Sequence, residues 1–374
     1  MKKAVVVLPT YNESENIEDM ITLILAEQEK ISDWELFILV SDSHSPDGTG
    51  DIVKKINKVN KKVELLDVRE RGIGVGLVMG YKYAVNVMKS DAVIQMDADL
   101  QHDPKEIPNF LKAINRGYDF VQGSRFIHGG KNELEWYRRF FSRSANIVSR
   151  ILLGIRNVHE FTTSYRAFTR DLFLRINLDD IPWKGTSFVF QPAFLYAASR
   201  AHAKFFEIPI VFVDRNRGIS KMQILKYIFD LLLFGIKTRM KRHKRIIKFG
   251  VVGTIGFLLN TTGLEVFVKS GLHPAMAGAM GAEIAIISNF ILNNFWAFKE
   301  NKIHIKNIPL KFIQFNTTSV GAILIQAGTI WTGVHFFGFE HYRYAYLVGV
   351  LIGMFWNYTM YSRVIWSKKT DNQD

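Results

Sequence analysis

The sequence of 374 residues contains no cysteine and only nine prolines. Without cysteine, the protein can form neither a disulfide framework nor a cysteine-ligated zinc site. The N-terminus also lacks the apolar segment of a secretory signal peptide, which needs roughly 7–15 residues. The run that follows Lys2 and Lys3 is AVVVL, which stops at Pro9. We therefore expect the N-terminal part to fold in the cytosol, with this run as its first strand.

A dinucleotide-binding fingerprint is absent as well. The glycine-rich stretch GIGVGLVMG (72–80) has the third position of G-x-G-x-x-G occupied by Leu77 in one register and by Met79 in the other. This mismatch argues against a Rossmann-type NAD site, and we interpret the stretch as the start of a helix.

The net charge of +13 favours partners of opposite charge. Nucleic acid is one candidate for a basic chain. Here, however, Lys and Arg are concentrated in KTRMKRHKR (237–245) and in the loops of an apolar C-terminal region. Anionic lipid headgroups and membrane orientation explain that placement better. We expect membrane lipids, and no nucleic acid, as partners.

From residue 246 onward, apolar stretches of about 20 residues recur, the length of a membrane-spanning helix. We predict four spans, at about 246–268, 275–297, 311–333 and 344–365. A weak internal repeat relates KFGVVGTIG (248–256) to KFIQFNTTSVG (311–321), which indicates two similar helix pairs. Basic residues flank both ends and fill the middle loop, so these parts should face the cytosol.

Strand-like and helix-like segments alternate in the N-terminal region. This alternation predicts a doubly wound, mainly parallel α/β sheet. The apolar strand candidates are KAVVVLP (3–9), ELFILVS (35–41), KKVELLDV (61–68) and DAVIQMD (91–97). Ligands bind at the carboxyl ends of the strands in such sheets. The polar segments PTYNE, SDSHSPDGT and DADLQ each follow a strand and should therefore meet in one crevice.

The segment MDADLQHDP (96–104) is the strongest candidate for a metal site. Asp97 and Asp99 are two residues apart at a strand end, so both carboxylates can face the same point. Gln101 adds an amide oxygen at the same spacing. Hard oxygen ligands suit Mg²⁺ or Mn²⁺ shared with a substrate phosphate. We interpret His102 as a supporting residue rather than a ligand. Taken alone, D-x-D is a weak signal that a polar turn would also explain.

In combination with its neighbours, this motif resembles the family 2 glycosyltransferases with a GT-A fold, in the branch of the dolichol-phosphate mannose synthases. The resemblance covers nearly all of residues 1–225. The motifs that carry it, in order, are PTYNE (9–13), DSHSPDGT (42–49), RGIGVGLVMGY (71–81), MDADLQHDP (96–104), GSRFIHGG (123–130), FTTSYRAF (161–168) and DRNRGISKM (214–222). The C-terminal helices resemble GtrA-like membrane domains, most clearly in NFILNNFWAF (289–298).

The resemblance implies a role for each matched residue. The metal at the donor diphosphate would be held by Asp97, Asp99 and Gln101. The other donor-binding residues would be Pro9, Tyr11, Glu13, Asp42 and Arg71, with a closing segment formed by Arg215, Arg217, Ser220 and Lys221. The residues closest to the reaction would be Asp99, Arg125, Arg138 and Ser142, of which the last two match positions that hold the acceptor phosphate. The sequence departs from the family at Ser43, His44 and Ala193, where relatives often have acids, and this affects the base and sugar pockets.

The implied activity is the inverting transfer of a hexose, mannose in preference to glucose, from GDP-mannose or a UDP-hexose to a polyprenyl (dolichyl-type) monophosphate. The acceptor is already anionic and needs no general base. One alternative is a transporter or scaffold of lipid-linked sugars whose glycosyltransferase domain has decayed. Another is a processive polysaccharide synthase, but the Q-x-x-R-W element of those enzymes is missing.

The expected organisation is that of a multi-pass protein of the cell membrane with a cytosolic catalytic domain. The GT-A domain would span 1–221, amphipathic basic helices at the membrane interface 222–245, the all-α four-helix transmembrane domain 246–368 and a polar tail 369–374.

Overall fold

The structure of the protein is a computed structural model that describes residues 1–182, 189–213 and 224–367. The chain divides into two compact units, Met1–Arg239 and Met240–Asp374. The first unit is an α/β domain, and the second is helical.

A seven-stranded sheet forms the centre of the first unit. Its strands are β1 (Lys2–Thr10), β2 (Trp34–Asp42), β3 (Val63–Asp67), β4 (Ala92–Gln95), β5 (Phe120–Ser124), β7 (Arg166–Thr169) and β8 (Phe205–Pro209). They lie in the order β3-β2-β1-β4-β7-β5-β8. All neighbouring pairs are parallel except those that β7 makes with β4 and β5. Two short strands, β6 (Lys131–Asn132) and β9 (Val211–Phe212), pair separately.

Helices cover both faces of this sheet. They are α1 (Ile17–Ala26), α2 (Thr49–Val59), α3 (Ile73–Asn86), α4 (Ile107–Asn115), α5 (Trp136–Leu153), α6 (Arg170–Arg175), α7 (Phe190–Arg200) and α8 (Ile224–Arg242). Strand β1 shows why the apolar runs are continuous: Val5 and Val7 belong to one buried cluster, and Val6 and Leu8 belong to the other. A strand buried on both faces is apolar at nearly every position. The predicted doubly wound, mainly parallel sheet is confirmed.

The loops after β1, β2 and β4 leave the sheet at the same edge. Each contains a residue other than glycine in the left-handed region: Asn12 (φ 58°), His44 (φ 54°) and Leu100 (φ 63°). This conformation costs about 1–2 kcal/mol per residue with a side chain. Backbone strain of this kind concentrates where a loop must present its groups in a fixed direction.

The second unit contains helices α9 (Lys244–Lys269), α10 (Pro274–Leu292), α11 (Ile308–Phe337) and α12 (Tyr342–Met360). Three helical segments are long and apolar enough to cross a membrane: Lys244–Lys269, Met276–Ala297 and Ile305–Phe337. The fourth predicted span falls on α12, which is not among them within the described residues, and it remains a prediction.

The repeat predicted for the second unit is visible in its helix ends. Helices α10 and α12 each continue into a short π-helix, Asn293–Ala297 and Tyr361–Ile365. At equivalent positions near the start of each half, Lys248 donates to the Trp296 carbonyl (3.3 Å) and Lys311 to the Val364 carbonyl (2.7 Å). The two halves therefore end in the same way, in one aromatic cluster.

Candidate active site

One cavity of about 780 Å³ collects most of the predicted site residues at the carboxyl edge of the sheet. It lies within the first unit. The predicted residues that line it are Pro9, Tyr11, Glu13, Arg71, Asp97, Asp99, Gln101, Arg125, Arg138 and Ser142. These residues come from five separate segments of the chain, and only the fold brings them together.

The Asp97–Gln101 loop leaves β4 and forms one wall of the cavity. Asp99 is almost fully buried, and its Oδ1 accepts from the Gln101 backbone N–H (3.2 Å). The Gln101 amide donates to the Val213 carbonyl (2.9 Å), which fixes the direction of its side chain. Within the described residues no three His, Cys, Asp or Glu side chains are placed so that they could hold a metal ion together. A cation here would therefore depend on two carboxylates, an amide oxygen and oxygens from the ligand, a donor set that suits Mg²⁺ or Mn²⁺.

Two buried residues that also line the cavity, His102 and Ser164, fix the position of Asp97. The Asp97 backbone N–H donates to Nδ1 of His102 (3.0 Å), and Ser164 Oγ donates to its Oδ2 (2.5 Å). His102 is 1% exposed and stacks on Tyr165, with ring centroids 4.9 Å apart. The supporting role expected for His102 agrees with this contact, because the nitrogen that faces the loop accepts from the backbone.

Arg125 lies in the cavity wall as half of a buried ion pair. Its Nε contacts Glu160 Oε2 (2.8 Å), and its Nη2 donates to Glu160 Oε1 (3.1 Å), Ser142 Oγ (3.0 Å) and Thr162 Oγ1 (2.7 Å). Glu160 is fully buried. Burial raises the pKa of Glu160, but the Arg125 charge and the hydrogen bonds from Arg125 and Thr162 outweigh burial and lower it. The positive charge of Arg125 is therefore already compensated by a carboxylate of the protein.

Helix α5 presents Arg138 and Ser142 to the cavity one turn apart, as their spacing of four predicts. The Ser142 hydroxyl accepts from Arg125 and also lies 3.4 Å from Thr162 Oγ1. Asn146, one turn later, donates to Glu160 Oε1 (3.2 Å). The buried side of α5 is thus a column of polar groups joined to the Arg125–Glu160 pair.

The other end of the cavity is formed by the loop after β1 and by the start of α3. The Arg71 guanidinium lies over the Tyr11 ring, 5.4 Å from its centroid. The Glu13 backbone N–H donates to Thr49 Oγ1 (3.0 Å), and its Oε2 accepts from Asn16 (3.0 Å). An aromatic face beside a planar cation suits a nucleobase better than a phosphate alone.

Asp42 occupies a different position from its predicted neighbours. Its carboxylate accepts from Thr10 Oγ1 (2.7 Å) and from Oγ (2.6 Å) and N–H (2.8 Å) of Ser45. It is buried, and it is not among the described residues that line the cavity. Asp42 therefore fixes the loop after β2 through its hydrogen bonds with Ser45, outside the cavity lining. The predicted closing-segment residues Arg215, Arg217, Ser220 and Lys221 lie outside the described residues.

Sequence reasoning missed Glu160 and Ser164. Ser164 lies within the motif FTTSYRAF, and Glu160 directly precedes it. Their partners are far away in the chain: Arg125 is 35 residues from Glu160, and Asp97 is 67 residues from Ser164. A buried arginine requires a carboxylate partner, and that requirement alone signals that an acid such as Glu160 should exist.

Comparison with known proteins identifies the family. Residues 5–176 match the family model "Glycosyl transferase family 2", and residues 248–366 match "GtrA/DPMS, transmembrane domain". A dolichol-phosphate mannosyltransferase from Pyrococcus furiosus is 30% identical over 370 residues, covering 98% of this chain and 99% of that protein. The chain belongs to glycosyl transferase family 2.

Two shorter relatives align with the glycosyltransferase domain. A polyprenol monophosphomannose synthase from Mycolicibacterium smegmatis is 31% identical over 253 residues, covering 66% of this chain and 92% of the relative. An undecaprenyl-phosphate mannosyltransferase from Micrococcus luteus is 34% identical over 224 residues, covering 59% and 87%. The protein is thus a glycosyltransferase with a GtrA/DPMS transmembrane domain, and it is a membrane protein.

Proposed function

We propose that this glycosyltransferase transfers a mannosyl group, with inversion, from a nucleotide-sugar donor to a polyprenyl monophosphate at the cytosolic face of the membrane. The observation that carries the proposal is the set of residues that line the cavity described above. An aromatic and guanidinium pair at one end suits a nucleoside, the Asp97–Gln101 loop suits a diphosphate, and Arg138 with Ser142 suits a second phosphate. The names of the three relatives support mannose and a polyprenyl phosphate.

The chemistry needs little from the protein beyond position and charge. An oxygen of the acceptor phosphate attacks the anomeric carbon and forms the new C–O bond. The bond to the nucleoside diphosphate breaks, and its electron pair leaves with the diphosphate oxygen. No proton is transferred, because the nucleophile is already an anion. Arg138 and Ser142 would hold the attacking phosphate in line with the anomeric carbon, which removes much of the entropic cost of the reaction.

The residues present fit a divalent cation, on the chemistry of the donor set. Asp97, Asp99 and Gln101 would hold Mg²⁺ or Mn²⁺ in the cavity wall. When bound, the cation would neutralise the charge that develops on the leaving diphosphate. Ser164 and His102 would keep Asp97 in place, since they form hydrogen bonds with its Oδ2 and its backbone N–H.

Two helices of the first unit support access from a lipid surface. On α5, Trp136, Phe140, Ile147 and Ile151 are between 53% and 74% exposed, along one face that lies opposite Arg138 and Ser142. Helix α8 packs on α5 through Tyr227 and Leu231. It exposes further apolar side chains and carries basic residues in its last turns. This pattern suits a helix in the membrane interface, as predicted for 222–245. We also propose a multi-pass arrangement with four spans.

A donor panel tests the function. Purified full-length protein in detergent would be mixed with a polyprenyl phosphate, MnCl₂ or MgCl₂, and GDP-mannose, UDP-glucose, UDP-galactose or UDP-GlcNAc. We expect release of GDP from GDP-mannose only when the polyprenyl phosphate is present, together with a β-linked lipid product from the α-linked donor. Nucleotide release without the polyprenyl phosphate would contradict the proposal. So would the absence of turnover with every donor of the panel.

A further inference from the structure

A chain of buried polar side chains lies beneath the cavity floor and is not used by the mechanism above. The Tyr81 hydroxyl donates to the Gln95 side-chain oxygen. The Gln95 side-chain nitrogen in turn donates to Oε1 of Gln191 (3.3 Å). Tyr81 and Gln95 are fully buried, and Gln191 is 3% exposed. Of these three residues, only Gln191 lines the cavity.

The direction of this chain determines what Gln191 offers to a ligand. The Tyr81 hydroxyl gives its one hydrogen to Gln95, so the Gln95 amide presents its nitrogen to Gln191. The Gln191 oxygen is thereby occupied, and its amide nitrogen is left as the outward group. Within the part of the chain that the structure describes, that nitrogen has no hydrogen-bond acceptor. Gln191 therefore presents a fixed N–H donor at the surface of the cavity.

A buried guanidinium holds the same residue by its backbone. Arg166 donates to the Gln191 carbonyl (3.1 Å) and to the Thr163 carbonyl (2.5 Å). It is fully buried, and no carboxylate among the described residues forms an ion pair with it. Burial lowers the pKa of Arg166 to about 10. Thr163 precedes Ser164, whose hydroxyl donates to Asp97. Arg166 therefore connects Gln191 to a segment that positions the Asp97–Gln101 loop.

Stability does not account for this arrangement. Tyr81 lies in an aromatic core, with ring centroids 4.9 Å from Phe168 and 5.3 Å from Phe194. A buried charge without an ionic partner costs free energy, and so does an incompletely satisfied polar network. The Nε of Arg166 is buried without a hydrogen-bond partner among the described residues. An arrangement that costs stability and ends in a donor at the cavity surface points to ligand recognition.

We propose that the Gln191 amide donates a hydrogen bond to a hydroxyl of the donor's hexose, and that Tyr81, Gln95 and Arg166 are positioning residues for it. This inference rests on the proposed function, since it requires a nucleotide-sugar in the cavity. It assigns the sugar subsite to the floor next to Asp97, where a hexose attached to the diphosphate has to lie. Ala193, the position at which relatives often carry an acid, follows on the same helix and is buried.

Isothermal titration calorimetry with GDP-mannose and with GDP, each with MnCl₂, separates sugar contacts from nucleotide contacts. Gln191→Met removes the donor at nearly constant volume. We expect the affinity for GDP-mannose to fall about tenfold, the effect of one lost hydrogen bond with an unpaired partner. The affinity for GDP should stay within about twofold. Gln122→Met is the matched control, because Gln122 is equally buried but does not line the cavity.

The positioning role has its own readout. Tyr81→Phe removes the hydroxyl that orients Gln95, so both amides can turn over. We expect the KM for GDP-mannose to rise several-fold while kcat and the KM for the lipid change little. If Gln191→Met left the ratio of GDP-mannose affinity to GDP affinity unchanged, whether or not both affinities fell, the inference would be overturned. Failure of the wild type to bind any donor of the panel would instead overturn the proposed function.

Discussion

The Arg125–Glu160 pair allows a prediction whose size follows from burial. Glu160→Gln keeps the side-chain shape and one acceptor oxygen but removes the negative charge beside a guanidinium that is 8% exposed. Breaking a buried ion pair costs about 3–5 kcal/mol, because the remaining charge is uncompensated. We expect a loss of about 3 kcal/mol, at the lower end, because the amide can still accept one hydrogen bond. For a unit of this size that corresponds to a decrease in Tm of roughly 6–12 °C.

The assay is thermal unfolding of purified protein in detergent, followed by tryptophan fluorescence at a fixed scan rate. Asp51→Asn is the matched control, since the Asp51–Lys54 pair makes a contact of similar length (3.0 Å) but is 73% and 64% exposed. Surface pairs of this kind contribute about 0.3–0.5 kcal/mol. If the two substitutions lowered Tm equally, Arg125 would not depend on Glu160 for compensation and the reasoning would be refuted.

Four further results are expected. Asp99→Asn should weaken Mn²⁺ binding, measured by calorimetry in the presence of GDP, and should abolish transfer without lowering Tm; full activity in a chelator would contradict the metal assignment. Arg138→Ala should raise the KM for the polyprenyl phosphate at least tenfold while calorimetry shows unchanged GDP affinity; the reverse would move Arg138 to the donor. The pKa of Glu160 is lower in the folded protein than its ordinary value of 4.5. Its ionised form therefore stabilises the fold above pH 4.5, and this stabilisation is lost as the pH falls through the folded pKa. Glu160→Gln should accordingly flatten the acid side of a plot of Tm against pH. Gly80→Ala should lower Tm, since a Cβ there would lie 2.7 Å from Val7 Cγ1, whereas Gly50→Ala, with its nearest neighbour at 3.6 Å, should not.

The sequence was sufficient for features that depend on local spacing. The i, i+2 spacing of Asp97, Asp99 and Gln101 places them on one loop, and the i, i+4 spacing of Arg138 and Ser142 places them on one helix face. Four apolar runs predicted strands β1 to β4, because strands covered on both faces are mostly apolar. Strands β5, β7 and β8 of the same sheet were not predicted.

Features that depend on packing between distant segments were not predictable in this way. Nothing near Arg125 in the chain indicates that its charge is compensated, because Glu160 reaches it only through the fold. The same holds for Asp42, whose carboxylate resembles a ligand in the sequence but is occupied by Thr10 and Ser45. Motif spacing identifies which side chains face a cavity. Their available charge depends on partners that packing supplies.

Charge compensation has a consequence for how the cavity binds a nucleoside diphosphate. Its described lining contains the carboxylates of Glu13, Asp97 and Asp99 and three guanidiniums, one of which, Arg125, is neutralised by Glu160 from behind. The described part of the cavity therefore has no excess of positive charge. Diphosphate oxygens beside Asp97 and Asp99 would be repelled unless a divalent cation lay between them. The balance of charge around Asp97 and Asp99 thus argues for metal-dependent donor binding, in addition to the spacing of the motif.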